Sequence, residues 1–116
     1  MLSYSFKYVD KYDPESNTWI QEPDMPEGRF GIGLVARKNK VYAVGGVTNG
    51  LGTVTTNKIY DPETEAWTSG PDLQVRRHTY FLGKVGETLF AIGGSYPDPD
   101  NPSMPIVLNS VEAWTF

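Results

Sequence analysis

One histidine, His78, follows two arginines in "RRH" at 76–78, and the 116-residue chain has no cysteine. Little else could ligate a transition metal or activate a nucleophile. A lone imidazole makes a poor site, because zinc needs three or four Cys, His or carboxylate ligands. No serine sits in a nucleophile elbow, and no spacing pairs His78 with an aspartate. His78 is therefore expected to pack or hinge. "GIGLVA" at 31–36 matches the G-x-G-x-x-A pattern of a dinucleotide loop, which requires a strand before it and a helix after it. Pro23 and Pro26 precede it, and "RKNK" and a further strand follow. Its glycines are read as permitting close packing instead. "DPDN" at 98–101 offers oxygen ligands, but the prolines around it and the missing turn glycine argue against an EF-type calcium loop. No catalytic residue, no metal and no cofactor is expected.

Charge and hydropathy narrow the classes further. A net charge of −4 and a pI near 4.8 oppose a phosphate-binding surface, which needs clustered Lys and Arg. The start, "MLSYSFKYVD", lacks the basic and apolar regions of a secretory signal. The longest apolar run, about seven residues, is far short of a membrane span. These features lead to the expectation of a cytoplasmic protein that binds neither nucleic acid nor membrane.

The elements that must position any site come from a repeat. Tyr12 and Tyr60, Asp13 and Asp61, Trp19 and Trp67, Pro23 and Pro71, Arg29 and Arg77, and Gly45 and Gly93 are each 48 residues apart. A third copy begins in "VEAW" at 111–114, where Trp114 stands in the place of Tyr60 after a loop six residues longer. Self-similarity at a fixed period marks one supersecondary unit per repeat. The runs "FGIGLVA", "KVYAVGG", "TVTTNKIY" and "IVLNSVEAW" are short, apolar or β-branched, and bounded by Gly, Pro, Asn or Asp. No window shows a 3.6-residue period, and 12 Gly with 9 Pro suit tight turns. The unit is a four-stranded antiparallel meander with strand A at about 29–36, B at 41–46, C at 53–60 and D at 66–70. A sheet with two faces to bury finds cover by stacking on its like around an axis, which predicts an all-β propeller architecture.

"YDPESNTW" at 12–19 and "YDPETEAW" at 60–67, each followed by Pro, Arg and a "YAVGG" or "FAIGG" strand, resemble the kelch repeat. The resemblance covers 9–94 with a partial copy to 116, and it implies propeller blades of one repeat each. Residues 1–22 then supply strands C and D of one blade, 29–70 a complete blade, and 77–116 strands A to C of another. The total is about two blades and one extra strand, too few to close a ring alone. A portion of a larger propeller, or copies that self-associate into a homo-oligomer, is expected. Some relatives of kelch proteins are copper oxidases with Cys, Tyr and His ligands, an inventory this chain lacks.

The repeat markers are expected to be structural: Tyr12, Trp19, Tyr60 and Trp67 packing between blades, Asp13 and Asp61 capping turns, Arg29 and Arg77 bonding blade carbonyls or a nearby acid, and Gly45, Gly46, Gly93 and Gly94 ending strand B. The B–C loops, 47–56 and 95–106, differ in length and composition and emerge with the D–A loops, 70–76, on one face. Variable loops on a fixed scaffold are where recognition resides. Asn49, Arg76, Arg77, Tyr96, Asp98, Asn101 and Met104 are the candidate partner contacts. The resemblance to BTB–kelch adaptors implies a protein partner, either a ubiquitin-ligase substrate or actin. The alternative is part of a propeller-type enzyme acting on a sugar acid, an epimerase or lyase, with Arg76, Arg77 and His78 as its basic cluster.

Overall fold

The structure, a computed structural model, describes residues 5–115; residues 1–4 and 116, the outermost parts of the two terminal units, lie outside the described residues. Its elements are all strands: β1 Val9–Asp13, β2 Thr18–Glu22, β3 Arg29–Phe30, β4 Gly33–Arg37, β5 Lys40–Val44, β6 Val47–Thr48, β7 Gly52–Thr53, β8 Asn57–Asp61, β9 Ala66–Gly70, β10 Phe81–Val85, β11 Thr88–Ile92, β12 Ser95–Pro97, β13 Pro105–Val107 and β14 Val111–Trp114. Of the five antiparallel sheets among the described residues, three form the row of units, in chain order β1-β2, β4-β5-β8-β9 and β10-β11-β14. They are the C–D pair, the full A–D unit and the A–C unit. The sheets do not close into a ring.

Local chemistry sets each hairpin. Between A and B, Arg37 pairs with Lys40 across Lys38 and Asn39, which have φ of 50° and 60°. Two left-handed residues in a two-residue connection form a type I′ turn, whose twist matches that of the strands. Between C and D, the Asp13 carboxylate accepts from the Glu15 N–H at 3.0 Å, and the Asp61 carboxylate from the Glu63 N–H at 2.9 Å. Each is an Asx turn preset by the following proline. The turns end on left-handed Asn17 and Glu65. The register then places Tyr12 opposite Trp19 and Tyr60 opposite Trp67, with ring centroids 5.2 and 5.1 Å apart.

The boundaries expected from sequence need correction in three places. Strand A of the full unit is broken at Gly31, φ 62°, so that β3 leaves the main sheet and pairs with β6. In the last unit strand A starts at Phe81 rather than at Arg77, and His78 makes only an isolated bridge to Ser95. Strand C begins at Asn57, not at 53, because Gly52–Thr53 folds back on β6 as β7. The physical reason is shared: the loop side has its own hydrogen-bonding, and it takes residues from both ends of the meander.

The core lies between the second and third sheets. Tyr42 and Val44, with Val35 and Ile59 beside them, meet Leu73, Leu82, Leu89 and Ala91, with Tyr80 and Trp114 at the margin. Tyr80 donates its hydroxyl to the Val44 carbonyl at 2.8 Å, and burial raises its pKa. The Gly46 N–H donates to Arg77 O at 2.9 Å and Thr79 N–H to Gly31 O at 2.8 Å. Backbone bonds thus cross from one unit to the next.

The first hairpin docks through Glu22, which accepts from Tyr60 Oη at 2.5 Å and pairs with Lys11 Nζ at 3.1 Å. The Trp67 indole donates to Pro23 O at 3.1 Å. The bond from Tyr60, and then that from Lys11, hold Glu22 below the usual carboxylate range. Burial, and then the bond to Glu22, push Tyr60 up to about 12. A depressed carboxylate contributes docking stability above its ordinary pKa and loses it as pH falls through the folded value. A raised phenol contributes below pH ~10 and loses it as pH rises toward its folded value. Amide exchange of β1 and β2 is expected to accelerate at both extremes before that of β5. Glu22→Gln should remove the Glu22 contribution to the acid limb and shrink the alkaline limb, since the bond to Glu22 is part of what raises Tyr60.

Candidate partner-binding face

The loop end is built around two arginines. Arg29 Nη1 donates to Gly45 O at 2.9 Å and to Thr56 O at 2.8 Å, while Nη2 reaches Thr56 Oγ1 and Glu27. Arg77 Nη1 donates to Gly93 O at 2.8 Å and Ser110 O at 3.3 Å. Its Nη2 reaches Ser110 Oγ at 3.3 Å and Glu112 Oε2 at 2.8 Å. Gly45 and Gly93 follow strand B, which stops at Val44 and Ile92 rather than at the glycine pairs; Thr56 and Ser110 precede strand C. Each guanidinium therefore clamps the two stems of a B–C loop, as five fixed donors allow. The glycine pairs turn away above the clamp, with φ of 64° and 86° at Gly45 and Gly46, and 70° and 92° at Gly93 and Gly94.

Beyond the clamps the B–C loops are hairpins. β6 pairs with β7 and, on its other side, with β3 of the D–A segment. β12 pairs with β13, and Ser95 bridges His78 of the preceding D–A segment. Phe30 opposite Val47 becomes His78 opposite Ser95, both shifted by the 48-residue period. The D–A segments and B–C hairpins are thus joined at one end of the sheets.

The expected contact residues divide by what their polar atoms already do. Arg76 lies over the Tyr96 ring, 4.8 Å from its centroid, and both side chains are half-buried. Met104 is exposed at the tip of the second hairpin. Asp98 accepts from the Asp100 N–H, and Asn101 Oδ1 from Ser103 Oγ, so both shape their own loop. Asn49 Oδ1 accepts from Ser5 N–H at 3.1 Å and lies 3.2 Å from Ser5 Oγ, tying the first hairpin to the segment before β1. Arg77 needs correction as an accessible contact. It is 0% exposed, because the clamp directs its guanidinium inward. His78 Nδ1 lies 2.9 Å from Thr79 Oγ1, and partial burial lowers its pKa. Among the described residues, no group of three or more His, Asp or Glu is placed to hold a metal.

Of the structural markers, Tyr60 is buried against the first hairpin, whereas Tyr12 and Trp19 are exposed, with no unit packed on them among the described residues. Sequence reading missed Leu51, 77% exposed between Gly50 and Gly52, both at positive φ. The signal was present: an apolar residue between two turn glycines has no packing role. Val107 on β13 is another exposed apolar side chain on this side.

The fold is all-β, an open row of antiparallel meander units, two of which carry a clamped glycine pair. Residues 28–74 match the family model described as "Kelch motif". The chain is similar to alpha-scruin of Limulus polyphemus and to kelch-like protein 8 of Caenorhabditis elegans, at 42% identity over 41 residues in each case. Those matches cover 35% of this chain but only 4% and 6% of the two relatives. The solved structure of YjhT superposes with a TM-score of 0.77 over 93% of this chain and 36% of that one. At 15% identity the likeness shows the fold: this chain resembles part of a kelch propeller.

Proposed function

We propose that the chain is a non-catalytic protein-interaction module that recognises a protein partner through the B–C hairpins and D–A segments. The observation that carries this is a division of labour at the loop end. The clamping arginines spend their donors on loop stems, while the hairpins between the stems differ and present Leu51, Met104 and Val107 to solvent. Met and aromatic side chains such as Tyr96 are enriched at interface cores. The kelch resemblance supplies the partner classes, a ubiquitin-ligase substrate or actin, and a cytoplasmic location goes with both. The acidic balance speaks against nucleic acid. A sugar-acid epimerase or lyase would need convergent, accessible basic groups; of Arg76, Arg77 and His78, the second faces inward and the first is stacked on Tyr96.

Filamentous actin offers a direct probe. Co-sedimentation is expected with the wild type, and Met104→Glu together with Leu51→Glu should weaken it by about tenfold or more, the equivalent of ~1.4 kcal/mol. Thermal unfolding should be unchanged, since both side chains are exposed. Where actin fails to bind, photo-crosslinkers at 51 and 104 in cell extract serve the other partner class, and crosslinks confined to those tips are expected. Equal binding by wild type and double variant, or turnover of a sugar acid abolished by Arg76→Ala, would overturn the proposal.

A further inference from the structure

Among the described residues two apolar sheet surfaces are left uncovered, and the 48-residue period relates both to the buried interface between the second and third sheets. On the buried side, Gly33, Val35, Tyr42 and Val44 of the second sheet receive Tyr80, Leu82 and Leu89 of the third. One period later, the first set becomes Phe81, Gly83, Phe90 and Ile92. These residues line an open face of about 440 Å³ on the third sheet. One period earlier, the second set becomes Ile32, Leu34 and Val41. They line a cleft of about 360 Å³ beside the β1–β2 hairpin. Leu34 is 57% exposed and Phe81 64%. The chain therefore presents both halves of an interface whose intact version it contains.

The two open halves also fit one another in size. A Cβ on Gly33 would come within 2.6 Å of the Tyr80 hydroxyl, so the intact interface sets the smallest residue against a large one. Phe81 takes the place of Gly33 on the open face, and Ile32 takes the place of Tyr80 in the cleft. Large against small becomes small against large, with the volume roughly kept, which is the substitution pattern that packed cores tolerate.

One strand is in excess at such a junction. The cleft already has β1 and β2 as strands C and D of the unit that would enter it, whereas the entering sheet carries its own strand C, β14. By the period, Tyr8, Asp10 and Tyr12 correspond to Ser110, Glu112 and Trp114. Asp10 therefore offers a carboxylate to Arg77 where Glu112 now stands; the middle unit has Lys58 at this position. Trp114 fits its place imperfectly, since its indole N–H is enclosed without an acceptor among the described residues. Tyr12 brings an acceptor with it, donating to Asn17 Oδ1 at 2.7 Å. The edge of β1 away from β2 is unpaired among the described residues, a template for another strand.

We propose that copies of this chain associate head to tail. The Phe81–Phe90–Ile92 face of one copy enters the Ile32–Leu34–Val41 cleft of the next, and β1 of the receiving copy replaces β14 on the edge of β11. Each copy then contributes two whole four-stranded units. The inference concerns the sheet faces and stands apart from loop-borne recognition.

Sedimentation velocity and light scattering at micromolar concentration test it. The wild type is expected to form oligomers. Leu34→Glu and Phe81→Glu alter exposed side chains, so each should keep its fold yet weaken association by at least about tenfold. Mixed together, they should form a one-to-one dimer and nothing larger, because one junction survives. A monomeric wild type, loss of association in Phe81→Glu but not in Leu34→Glu, or a mixture that stays monomeric would each overturn head-to-tail docking. Asp10→Lys should weaken association with monomer unfolding unchanged. Unaltered association in that variant would refute the replacement of β14 by β1.

Discussion

Arg77→Met is expected to destabilise the protein by about 3–5 kcal/mol, the range for removing one partner of a buried ion pair. Such a loss takes a large share of the roughly 5–15 kcal/mol margin of a natural domain. Arg77 is fully buried, and the Glu112 side chain facing it is 13% exposed. Without the guanidinium, Glu112 keeps only the Gln74 and Val75 N–H groups, and the carbonyls of Gly93 and Ser110 lose their shared donor. Arg29→Met should cost less, because Glu27 is 38% exposed and water can solvate it. Adding Glu112→Gln to Arg77→Met should recover part of the loss by removing the stranded charge. Arg77→Lys should rescue little, since an ammonium cannot bridge two stems and an acid at once. Urea titration of the four variants measures all of this. Equal costs at Arg29 and Arg77, or a double variant worse than the single, would refute a buried pair.

Gly46→Ala is expected to be the second most damaging single change, at about 2–4 kcal/mol, and Gly93→Ala should cost only about 1–2 kcal/mol. Both glycines have positive φ, so both alanines meet the left-handed penalty. They differ in what surrounds them. A Cβ at Gly46 would come within 2.6 Å of Ile32 Cγ2 and 2.7 Å of Phe30 O, whereas at Gly93 the nearest atom is Leu108 O at 3.7 Å. The contrast follows from the place within each pair: Gly46 and its equivalent Gly94 lie against the strand A segment of their own unit, Tyr80 Cβ standing 2.7 Å from a Cβ at Gly94, whereas Gly93 meets nothing closer than Leu108 O. A midpoint shift in denaturant of equal size for the two variants would show that φ alone decides.

The repeat was legible because its markers solve backbone problems that recur. Asp13 and Asp61 must cap the same Asx turn, and the glycine pairs must adopt the same left-handed exit, so residue type betrayed conformation. The bonding of Arg29 and Arg77 to blade carbonyls and an acid followed from the same recurrence. The break at Gly31 was not legible, since "FGIGLVA" reads as one apolar run; the departure of β3 is fixed by pairing with β6, a partner 17 residues away in sequence. The hairpins within the B–C loops escaped for a related reason, being two- and three-residue strands with no room for a period-two pattern. Among candidate contacts, Arg77 could not be assigned from sequence to surface or interior, because the same guanidinium chemistry serves both. Leu51 was readable from its glycine neighbours, Gly50 and Gly52.

The arginine clamps have a consequence for how this scaffold tolerates change. Because each guanidinium fixes both stems at their base, it adds a closure there to the one that the hairpin pairing above it provides. The second loop is six residues longer than the first, yet Arg77 engages Gly93 and Ser110 as Arg29 engages Gly45 and Thr56. Loop-closure cost grows only by about 0.6 kcal/mol for each doubling of length. The stems are therefore ready-made grafting points, where foreign peptides could be spliced in and screened without redesigning the sheets beneath.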